Sequence, residues 1–300
     1  MQNNNPENII EALNVNRYFG AGNLALGNFT VSVPRGGVYG FLGRNGAGKT
    51  TAIKIIAGLL RPDFGTVRVL GKDPFTFTPA DRQRVGYMSE KQILPVNYRV
   101  GALVKFCAAF YPRWHHELVA QLLGKFNISC QRKIGQLSQG TQRQVAFILA
   151  LAQRPELLIL DEPAATLDVV ARREFLDEIL RLLRDADGGT TVFISSHILS
   201  DIERIADHIG IIAGGQLIVS EPLDDLAESV KKIRFHSFNN GAANFAYPGA
   251  YRTISGRDEV LVTARVRDPL TVAQCAQRHG ASYEIQDLNL EDIFYEISTR

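Results

Sequence analysis

The sequence predicts an α/β protein in which a mixed sheet is built around a phosphate-binding loop. The short apolar run 38–42 leads directly into the glycine-rich segment 43–50, and a helical pattern follows. Two further apolar runs, at 157–161 and 191–195, have the continuous hydrophobic character of strands that are buried in a parallel sheet. We therefore expect the carboxyl ends of these strands to lie at one ligand-binding edge of the sheet.

Residues 43–50 read GRNGAGKT and match the phosphate-binding pattern G-x-x-x-x-G-K-[ST]. Glycines permit backbone conformations that other residues rarely adopt, so successive N–H groups can point at an anion, and the following helix adds the positive end of its dipole. We expect Lys49 to reach the β- and γ-phosphates of a nucleotide and the Thr50 hydroxyl to bind Mg²⁺. The alternative is a glycine-rich turn that simply precedes a helix.

The apolar run 157–161 closes on two adjacent carboxylates, Asp161 and Glu162. In phosphoryl transfer, positioning and charge stabilisation carry most of the catalysis. Asp161 is therefore predicted to hold the Mg²⁺ shell and Glu162 to polarise an attacking water; the alternative is a helix N-cap cluster. His197 follows the next strand at the same edge, where it either reaches a γ-phosphate or has a structural role. Glu90 ends a predicted strand at 85–90, and taken alone it fits a solvated strand end.

The segment before the phosphate-binding loop predicts an antiparallel β subdomain. Residues 9–33 have the pattern of short strands with turns at 20–23, and 66–70 is a further alternating strand. Tyr18 and Phe19 stand just before the turn. An aromatic pair there ordinarily packs in a core, but a ring this close to a phosphate loop can also stack on an adenine.

Residues from about 91 to 153 predict an inserted helical subdomain. Apolar residues recur at helical spacing over 101–126, around a break at 111–115. We interpret the aromatic residues of this stretch as core, with a docking surface as the alternative: Phe106, Phe110, Tyr111 and Trp114. Leu137-Ser-Gln-Gly140 precedes a helix at 141–152, where Thr141 and Gln144 fit a capping box, so the segment by itself indicates a well-capped helix.

Composition limits the classes of function. Of the 300 residues, 45% are hydrophobic, which is enough for a full core, and 33 basic against 31 acidic residues leave a net charge of +2. The net charge is therefore too small to attract the whole chain to nucleic acid. The three cysteines are scattered without metal-ligand spacing and are interpreted as packing residues. The polar N-terminus has no secretory signal pattern, and no apolar run approaches the length of a membrane span, which predicts a cytoplasmic protein.

The pattern of apolar and polar residues changes near residue 228. Residues 231–236 and 259–265 predict strands, 270–278 predict a helix, and no cluster of catalytic side chains is evident among them. We therefore predict a nucleotide-binding domain at 1–228 and a small α+β accessory domain at 229–300, with a regulatory or dimerisation role.

Taken in order, GRNGAGKT, LSQG, LLILDEP and SSH resemble the ATP-binding cassette (ABC) family, over roughly residues 9–222. The resemblance implies a P-loop NTPase fold, binding of ATP and Mg²⁺, and ATP hydrolysis. For Mg²⁺ it implies the ligands Thr50, Glu90 and Asp161. It gives catalytic roles to Lys49, Glu162 and His197, with Glu162 as the base. The implied nucleotide contacts are Phe19 (with Tyr18 as the alternative), Gly43, Arg44, Asn45, Gly46, Ala47, Gly48, Lys49, Thr50, Thr51, Ser138, Gln139, Gly140 and Asp168.

The sequence departs from the usual family pattern at three places. Glu90 stands where most members have a glutamine, and the segment at 137–144 reads LSQGTQRQ where LSGGQ is usual. After Pro163 the chain runs Ala-Ala-Thr-Leu-Asp168 in place of Ser-Gly-Leu-Asp. Ser138, Gly140 and Asp168 are retained, so the departures predict slower or differently coupled hydrolysis and not its loss.

The resemblance also implies an assembly. Two copies of the chain face each other with two ATP molecules between them, each bound by one copy's P-loop and the other copy's Ser138 and Gly140. An integral membrane permease is the implied second partner, with its cytoplasmic helix in a groove near residues 90–114, which places the chain at the cytoplasmic face of the membrane. The tail 288–294 resembles subunits of exporters.

The alternative is a soluble ABC-class ATPase that acts on nucleic acid or ribosomes, although no nucleic-acid partner is expected.

Overall fold

A computed structural model of the chain describes residues 8–20, 22–91, 93–185, 189–238 and 245–298, without the side chains at positions 182, 184 and 185. Most of the polar N-terminal segment and part of the polar stretch 239–249 lie outside the described residues, as do the sequence interpretations made for them. The chain divides into two compact units, Met1–Ser220 and Glu221–Arg300. The assignment of 1–228 and 229–300 to separate domains with separate roles stays a prediction.

The strands of the first unit form two sheets. In chain order they are β1 (Asn8–Phe19), β2 (Asn23–Pro34), β3 (Val38–Gly43), β4 (Phe64–Val69), β5 (Val85–Met88), β6 (Leu157–Asp161), β7 (Thr191–Ser196), β8 (His208–Ala213) and β9 (Gln216–Pro222). One sheet has the order β2-β1-β4 and is antiparallel; the other has the order β5-β6-β7-β3-β8-β9. In the second sheet β5, β6, β7, β3 and β8 pair in parallel. Only a two-residue Gly-Gly turn joins β8 to β9, so this last pair is antiparallel and the sheet is mixed.

The helices of the first unit are α1 (Lys49–Ile56), α2 (Pro79–Arg82), α3 (Val100–Ala108), α4 (His116–Lys125), α5 (Gln139–Ala152), α6 (Val169–Asp185) and α7 (Leu199–Ile205). Helix α1 lies between the two sheets, because its apolar face shares one core cluster with side chains of both. Ile53 and Ile56 of the helix belong to this cluster together with Val31 of β2 and Phe193 of β7. The start of α1 is therefore held against the edge of the parallel sheet.

The parallel strands are buried as the sequence predicted. Every residue of β3, β6 and β7 is buried, which confirms the three apolar runs as central strands of an α/β sheet. Helices α3, α4 and α5 form the predicted helical insertion between β5 and β6. Phe147 of α5 packs on Phe175 of α6 at a ring-centroid distance of 4.1 Å, and this contact joins the insertion to the helix that follows β6.

The second unit is a small α+β structure. It contains α8 (Leu223–Ser229), β10 (Val230–His236), β11 (Ala250–Ser255), β12 (Glu259–Arg265), α9 (Pro269–His279), β13 (Ser282–Asp287) and α10 (Leu290–Ser298). Its sheet has the order β11-β12-β10-β13, and all three pairs are antiparallel. Ile233, Phe235, Val260 and Val262 form a core with Val272 of α9.

Three local interpretations of the sequence are corrected by the structure. Helix α5 begins at Gln139, two residues before the predicted start, and Ser138 is its N-cap, so Thr141 does not initiate a capping box. The cysteines are all free, but Cys130 is exposed and is not a packing residue. Strands β11 and β13 were not predicted. Every residue of β13 is exposed, so this strand lacks the alternation of buried and exposed side chains from which a sequence pattern identifies a strand.

The aromatic residues of the helical insertion do not all belong to the core. Trp114 is buried, but 52% of Phe106 and 60% of Phe110 is exposed to solvent. Phe106 contacts Tyr98 and Phe110 edge to face, at ring-centroid distances of 6.2 and 5.2 Å. The prediction of a core role was therefore wrong for Phe106 and Phe110, which form an exposed aromatic patch together with Tyr98.

Candidate functional site

The glycine-rich loop links the end of β3 to the start of α1. Gly46 and Gly48 adopt φ values of 80° and 107°, a region that side-chain-bearing residues rarely enter. A Cβ on Gly48 would lie 2.7 Å from the carbonyl oxygen of Ala25, so the loop also passes too close to β2 for any larger residue. The Lys49 ammonium folds back and donates to the Gly43 carbonyl at 2.5 Å. The loop thus has the shape of an anion cradle.

A cavity of about 500 Å³ lies in front of this loop. Eleven of the residues singled out in the sequence line it: Phe19, Arg44, Asn45, Gly46, Gly48, Lys49, Thr50, Thr51, Glu90, Glu162 and His197. Ala25 and Ala165 complete the lining. Gly43, Ala47 and Asp161 are buried and are not part of the lining. The fold therefore brings residues from five parts of the chain to one place.

The two acidic residues at the end of β6 are hydrogen-bonded to β7 through one buried hydroxyl. Asp161 and Ser195 are directly paired in the sheet. The Ser195 hydroxyl donates to Asp161 Oδ1 at 2.7 Å and accepts the backbone N–H of Glu162 at 3.0 Å. Asp161 Oδ2 is buried and has no hydrogen-bond partner among the described residues. Burial raises the pKa of Asp161, and the neighbouring hydroxyls of Ser195 and Thr50 act in the opposite direction.

Glu162 has a backbone conformation that is uncommon for a residue other than glycine. Its φ is 49°, in the left-handed region, which costs a non-glycine residue about 1–2 kcal/mol. This conformation turns its side chain into the cavity, where Oε2 lies 2.7 Å from His197 Nδ1 and accepts the His197 backbone N–H at 3.3 Å. The other oxygen, Oε1, lies 3.9 Å from Lys49 Nζ. The carboxylate therefore faces both an imidazole and an ammonium.

Lys49 is the buried cation of the site. Burial lowers the pKa of its ammonium, whereas the nearby carboxylates of Glu162, Asp161 and Glu90 raise it. A buried charge is costly unless it is paired, and here two carbonyls and Glu162 provide the partners. The side chain already points along the loop, so it is available to an anion bound in the cradle.

Phe19 and Tyr18 differ in their surroundings. Phe19 lines the cavity at the end of β1, and the Arg17 guanidinium lies 5.0 Å from its ring centroid. Tyr18 is next to it in an extended strand, where neighbouring side chains point to opposite faces, and the lining of the cavity does not include it. The geometry therefore favours Phe19 as the aromatic wall.

The segment 137–140 and Asp168 do not reach this cavity. Ser138 and Gln139 are exposed, and the Ser138 hydroxyl accepts the backbone N–H of Thr141 at 3.1 Å as the N-cap of α5. Asp168 is exposed as well, and its carboxylate accepts the N–H groups of Val170 and Ala171 at the start of α6. Within one copy of the chain, these predicted nucleotide contacts lie outside the cavity.

Comparison with known proteins identifies the family. A model described as "ABC transporter" matches residues 26–165, and one described as "AAA domain, putative AbiEii toxin, Type IV TA system" matches 131–200. The chain is 32% identical over 226 residues to the "Bacitracin transport ATP-binding protein BcrA" of Bacillus licheniformis, which covers 75% of this chain and 73% of that protein. This chain belongs to the ABC transporter ATP-binding proteins.

Two further comparisons agree with this membership. The "Nod factor export ATP-binding protein I" of Burkholderia orbicola is 30% identical over 300 residues, with 97% of each chain covered. A solved structure of an "ATP binding subunit of ABC transporter" superposes with a TM-score of 0.66 at 26% identity, covering 73% of this chain and 92% of that one. The predicted P-loop NTPase fold is confirmed, and the ABC protein is an ATP-binding ATPase. None of its helices, in the part of the chain that the structure describes, has the length and apolarity for a bilayer crossing.

Two residues of the ABC site were not found from the sequence. Ser195 belongs to the SSH motif but was given no role, because a serine inside a buried strand differs little from any small residue. Arg143 was passed over as part of an amphipathic helix, yet its guanidinium donates to the carbonyl of Glu162 at 2.7 Å and to the carbonyl of Glu90. A sequence signal does exist for Arg143, since it is a cation on a helix that otherwise contributes mostly apolar side chains to the core.

Replacing Ser195 by alanine is expected to destabilise the first unit. Ser195→Ala leaves the Glu162 N–H and Asp161 Oδ1 without their buried partner, and an unsatisfied buried polar group costs about 1–3 kcal/mol. The measurement is the shift of the thermal or urea unfolding transition. Ser32→Ala on the exposed side of β2 is the matched control and is expected to change stability by less than about 0.5 kcal/mol. Equal stabilities of the two variants would contradict the bridging role of Ser195.

Proposed function

We propose that this chain is the ATP-hydrolysing subunit of an export-type ABC transporter, and that two copies bind two MgATP head to tail. One observation supports this most directly: the cavity contains the phosphate loop, Glu162 and His197, while Ser138 and Gly140 lie outside it at an accessible helix start. Each copy on its own therefore supplies only part of the predicted site. A second copy is the natural source of the missing contacts.

In this proposal the loop residues 43–51 bind the phosphates through their N–H groups and Lys49 neutralises the β- and γ-phosphates. Phe19 stacks on the adenine. Ser138, Gln139 and Gly140 of one copy contact the γ-phosphate bound by the other, and Asp168 at the start of α6 joins this interface. The exposed Val169 and Val170 beside Asp168 supply apolar surface for such a contact. Charge-assisted hydrogen bonds contribute about 1.5–3 kcal/mol each, so several per nucleotide suffice to close a dimer.

The residues assigned to Mg²⁺ fit that ion. Thr50, Asp161 and Glu90 offer hard oxygen donors, and the buried Asp161 Oδ2 has no hydrogen-bond partner among the described residues. No cluster of three or more His, Cys, Asp or Glu able to hold a metal occurs in the described part of the chain. Mg²⁺ needs no such cluster, because it is usually bound by one or two carboxylates together with phosphates and water. When bound, the ion neutralises charge that develops on the phosphate oxygens.

Hydrolysis is proposed to depend on Glu162 and His197. Glu162 polarises the water that attacks the γ-phosphate, and its left-handed backbone aims the carboxylate into the cavity. His197, which is hydrogen-bonded to Glu162 Oε2, orients that carboxylate and reaches towards the γ-phosphate from the end of β7. Lys49 lies within 3.9 Å of Glu162, so the same ammonium faces the carboxylate and the cradle. Release of the γ-phosphate removes the contacts between copies, and the loss of affinity is available to drive a partner.

The proposed partner is a membrane permease that docks on the helical insertion. A groove of about 380 Å³ beside α3 is lined mainly by apolar side chains, including Leu59, Tyr87, Leu103 and Cys107. The exposed aromatic patch of Tyr98, Phe106 and Phe110 belongs to the same insertion. An exposed apolar cluster of this kind is typical of an interaction site. A relative named for Nod factor export favours export as the direction.

A soluble ABC-class ATPase that acts on nucleic acid or ribosomes is the alternative function. Such a protein needs a basic surface, and the chain has a net charge of only +2. The exposed aromatic patch fits a protein partner better. The permease is therefore the preferred assignment.

Lys49→Ala is expected to lower kcat for ATP hydrolysis by at least about 10²-fold, because loss of one charged donor in a preorganised site typically costs that much. A coupled phosphate-release assay on the purified full chain measures it. Lys54→Ala, which removes an exposed cation from the same helix, is the control and is expected to hydrolyse ATP at the wild-type rate. Unchanged turnover in Lys49→Ala would refute the assignment.

Glu162→Gln is expected to trap an ATP-bound dimer, because it keeps the shape of the site and removes the base. Sedimentation velocity with ATP is expected to show the dimer, and with ADP the monomer. Glu174→Gln makes the same chemical change on the exposed face of α6 and is expected to stay monomeric after it has hydrolysed its ATP. A Glu162→Gln profile that remains monomeric with ATP would argue against the two-copy site.

Phe106→Glu combined with Phe110→Glu is expected to weaken permease binding by at least about tenfold, because exposed aromatics at the centre of an interface commonly carry its energy. The measurement is the yield of polytopic membrane protein that co-purifies with the tagged chain from detergent extracts of its native cells. Leu270→Glu, at an exposed site on α9, is the control. Equal recovery with both variants would place the docking surface elsewhere.

A further inference from the structure

Arg143 connects two backbone segments of the candidate site. It stands in the second turn of α5, and its guanidinium donates through Nη1 to the Glu162 carbonyl at 2.7 Å and through Nη2 to the carbonyl of Glu90. Glu162 directly follows β6, while Glu90 lies in the turn after β5. One side chain of the helix capped by Ser138 therefore contacts the main chain of both acidic segments that line the cavity.

The contact with Glu162 supports the uncommon conformation of that residue. At φ 49° the Glu162 backbone is less favourable than in the ordinary regions, and surrounding contacts must maintain it. On one side the Glu162 N–H is bound by Ser195 Oγ at 3.0 Å, and on the other side the Glu162 carbonyl is bound by Arg143. Without Arg143, the remaining contact to that carbonyl is the Ala165 N–H at 3.4 Å, which is at the long limit of a hydrogen bond.

The chemistry of arginine suits this bridge. A planar guanidinium presents several N–H donors in a fixed fork, so it can bind two acceptors at once, whereas a lysine ammonium is a compact point charge. Burial lowers the pKa of the Arg143 guanidinium, whereas the nearby carboxylates of Glu90, Glu162 and Asp161 raise it, and an arginine side chain stays charged in proteins. Both carbonyls thus receive charge-assisted donors, which are stronger than neutral ones.

We propose that Arg143 is a positioning residue for hydrolysis: by fixing the Glu162 main chain relative to the Glu90 turn, it aims the Glu162 carboxylate at the attacking water. The inference rests on the proposed role of Glu162 as the base. It assigns no contact between Arg143 and the nucleotide. Arg143 therefore affects the rate of the chemical step and leaves nucleotide binding unchanged.

The principal test is Arg143→Met in the purified full chain. Met has a similar length but donates no hydrogen bond, so kcat is expected to fall about 10–100-fold, as on loss of a supporting residue behind a reactive group. KM for ATP and the dissociation constant of a fluorescent ATP analogue are expected to stay within about threefold of wild type, because the substrate loses no direct contact. Arg143→Lys retains the charge and one donor contact, and an intermediate kcat is expected.

Two further readouts separate positioning from a general structural role. In the nucleotide-free protein, amide hydrogen exchange in a peptide that covers residues 159–167 is expected to accelerate in Arg143→Met, while β3 and β7 keep their protection. In Arg143→Met combined with Glu162→Gln, ATP-dependent dimerisation is expected to match that of Glu162→Gln alone, since Arg143 acts on the carboxylate and not on the contact between copies. Arg99→Met removes an exposed arginine that donates to the Gln131 carbonyl, and it is the matched control for all measurements.

The results for the Arg143 variants distinguish a positioning role from no role and from a general structural role. A wild-type kcat in Arg143→Met overturns the inference, and so does a loss of kcat that is accompanied by equal losses of nucleotide affinity or of dimerisation in the double variant. If Arg143→Met does not fold, Arg143→Lys decides the question, because a kcat equal to wild type would show that the two-carbonyl bridge is not needed. Failure of the proposed function is recognised separately: wild type and Lys49→Ala would then hydrolyse ATP equally, whatever the Arg143 variants do.

Discussion

The parallel register of β3, β7 and β6 is the constraint on which the rest of the site depends. Leu42 of β3 pairs with Ser196 of β7, and Ser195 pairs with Asp161 of β6. Because parallel strands in this register end at the same edge, the phosphate loop, the two carboxylates and His197 all emerge there. Segments that are far apart in the chain thereby come within hydrogen-bond distance, as the contact between Glu162 and His197 shows. A one-residue change of register would turn the side chains of a strand to the opposite face of the sheet and separate these groups.

The site concentrates charge where burial makes charge expensive. Lys49 and Asp161 are both buried, and the pKa of each is shifted by burial towards the neutral form. Buried polar groups are costly unless they are paired, and here the carbonyls of the loop, the Ser195 hydroxyl and the His197 ring provide pairing for all of these groups except Asp161 Oδ2. The strained backbone of Glu162 adds a local cost. Such departures from the most stable arrangement are typical of functional sites, and the closely packed sheet around α1 compensates for them.

The first unit exposes two features that are proposed to bind partners. Ser138 and Gln139 at the start of α5 are accessible, and so is the aromatic patch on the helical insertion. Helix α5 carries the accessible end at Ser138 and, one turn later, Arg143, which contacts the Glu162 main chain. The same helix thus contains a surface proposed for the second copy and a contact to the main chain of Glu162, the proposed catalytic base. A rigid helix is a short physical route between two such places, because its backbone hydrogen bonds make it move as a unit.

Much of the ABC core was determined by local sequence pattern. The phosphate loop, the strand that ends on Asp161 and Glu162, and the strand before His197 each have a short signature of glycine, apolar run or terminal carboxylate, and a short-range rule of backbone geometry explains each one. The tertiary structure alone decided which side chains support them. Ser195, Arg143 and the N-cap at Ser138 act through contacts between segments that are distant in the chain or through one-residue details of helix geometry. Phe106 and Phe110 were placed in the core because helical spacing identifies an apolar face, but only packing determines whether another element of the same chain covers that face.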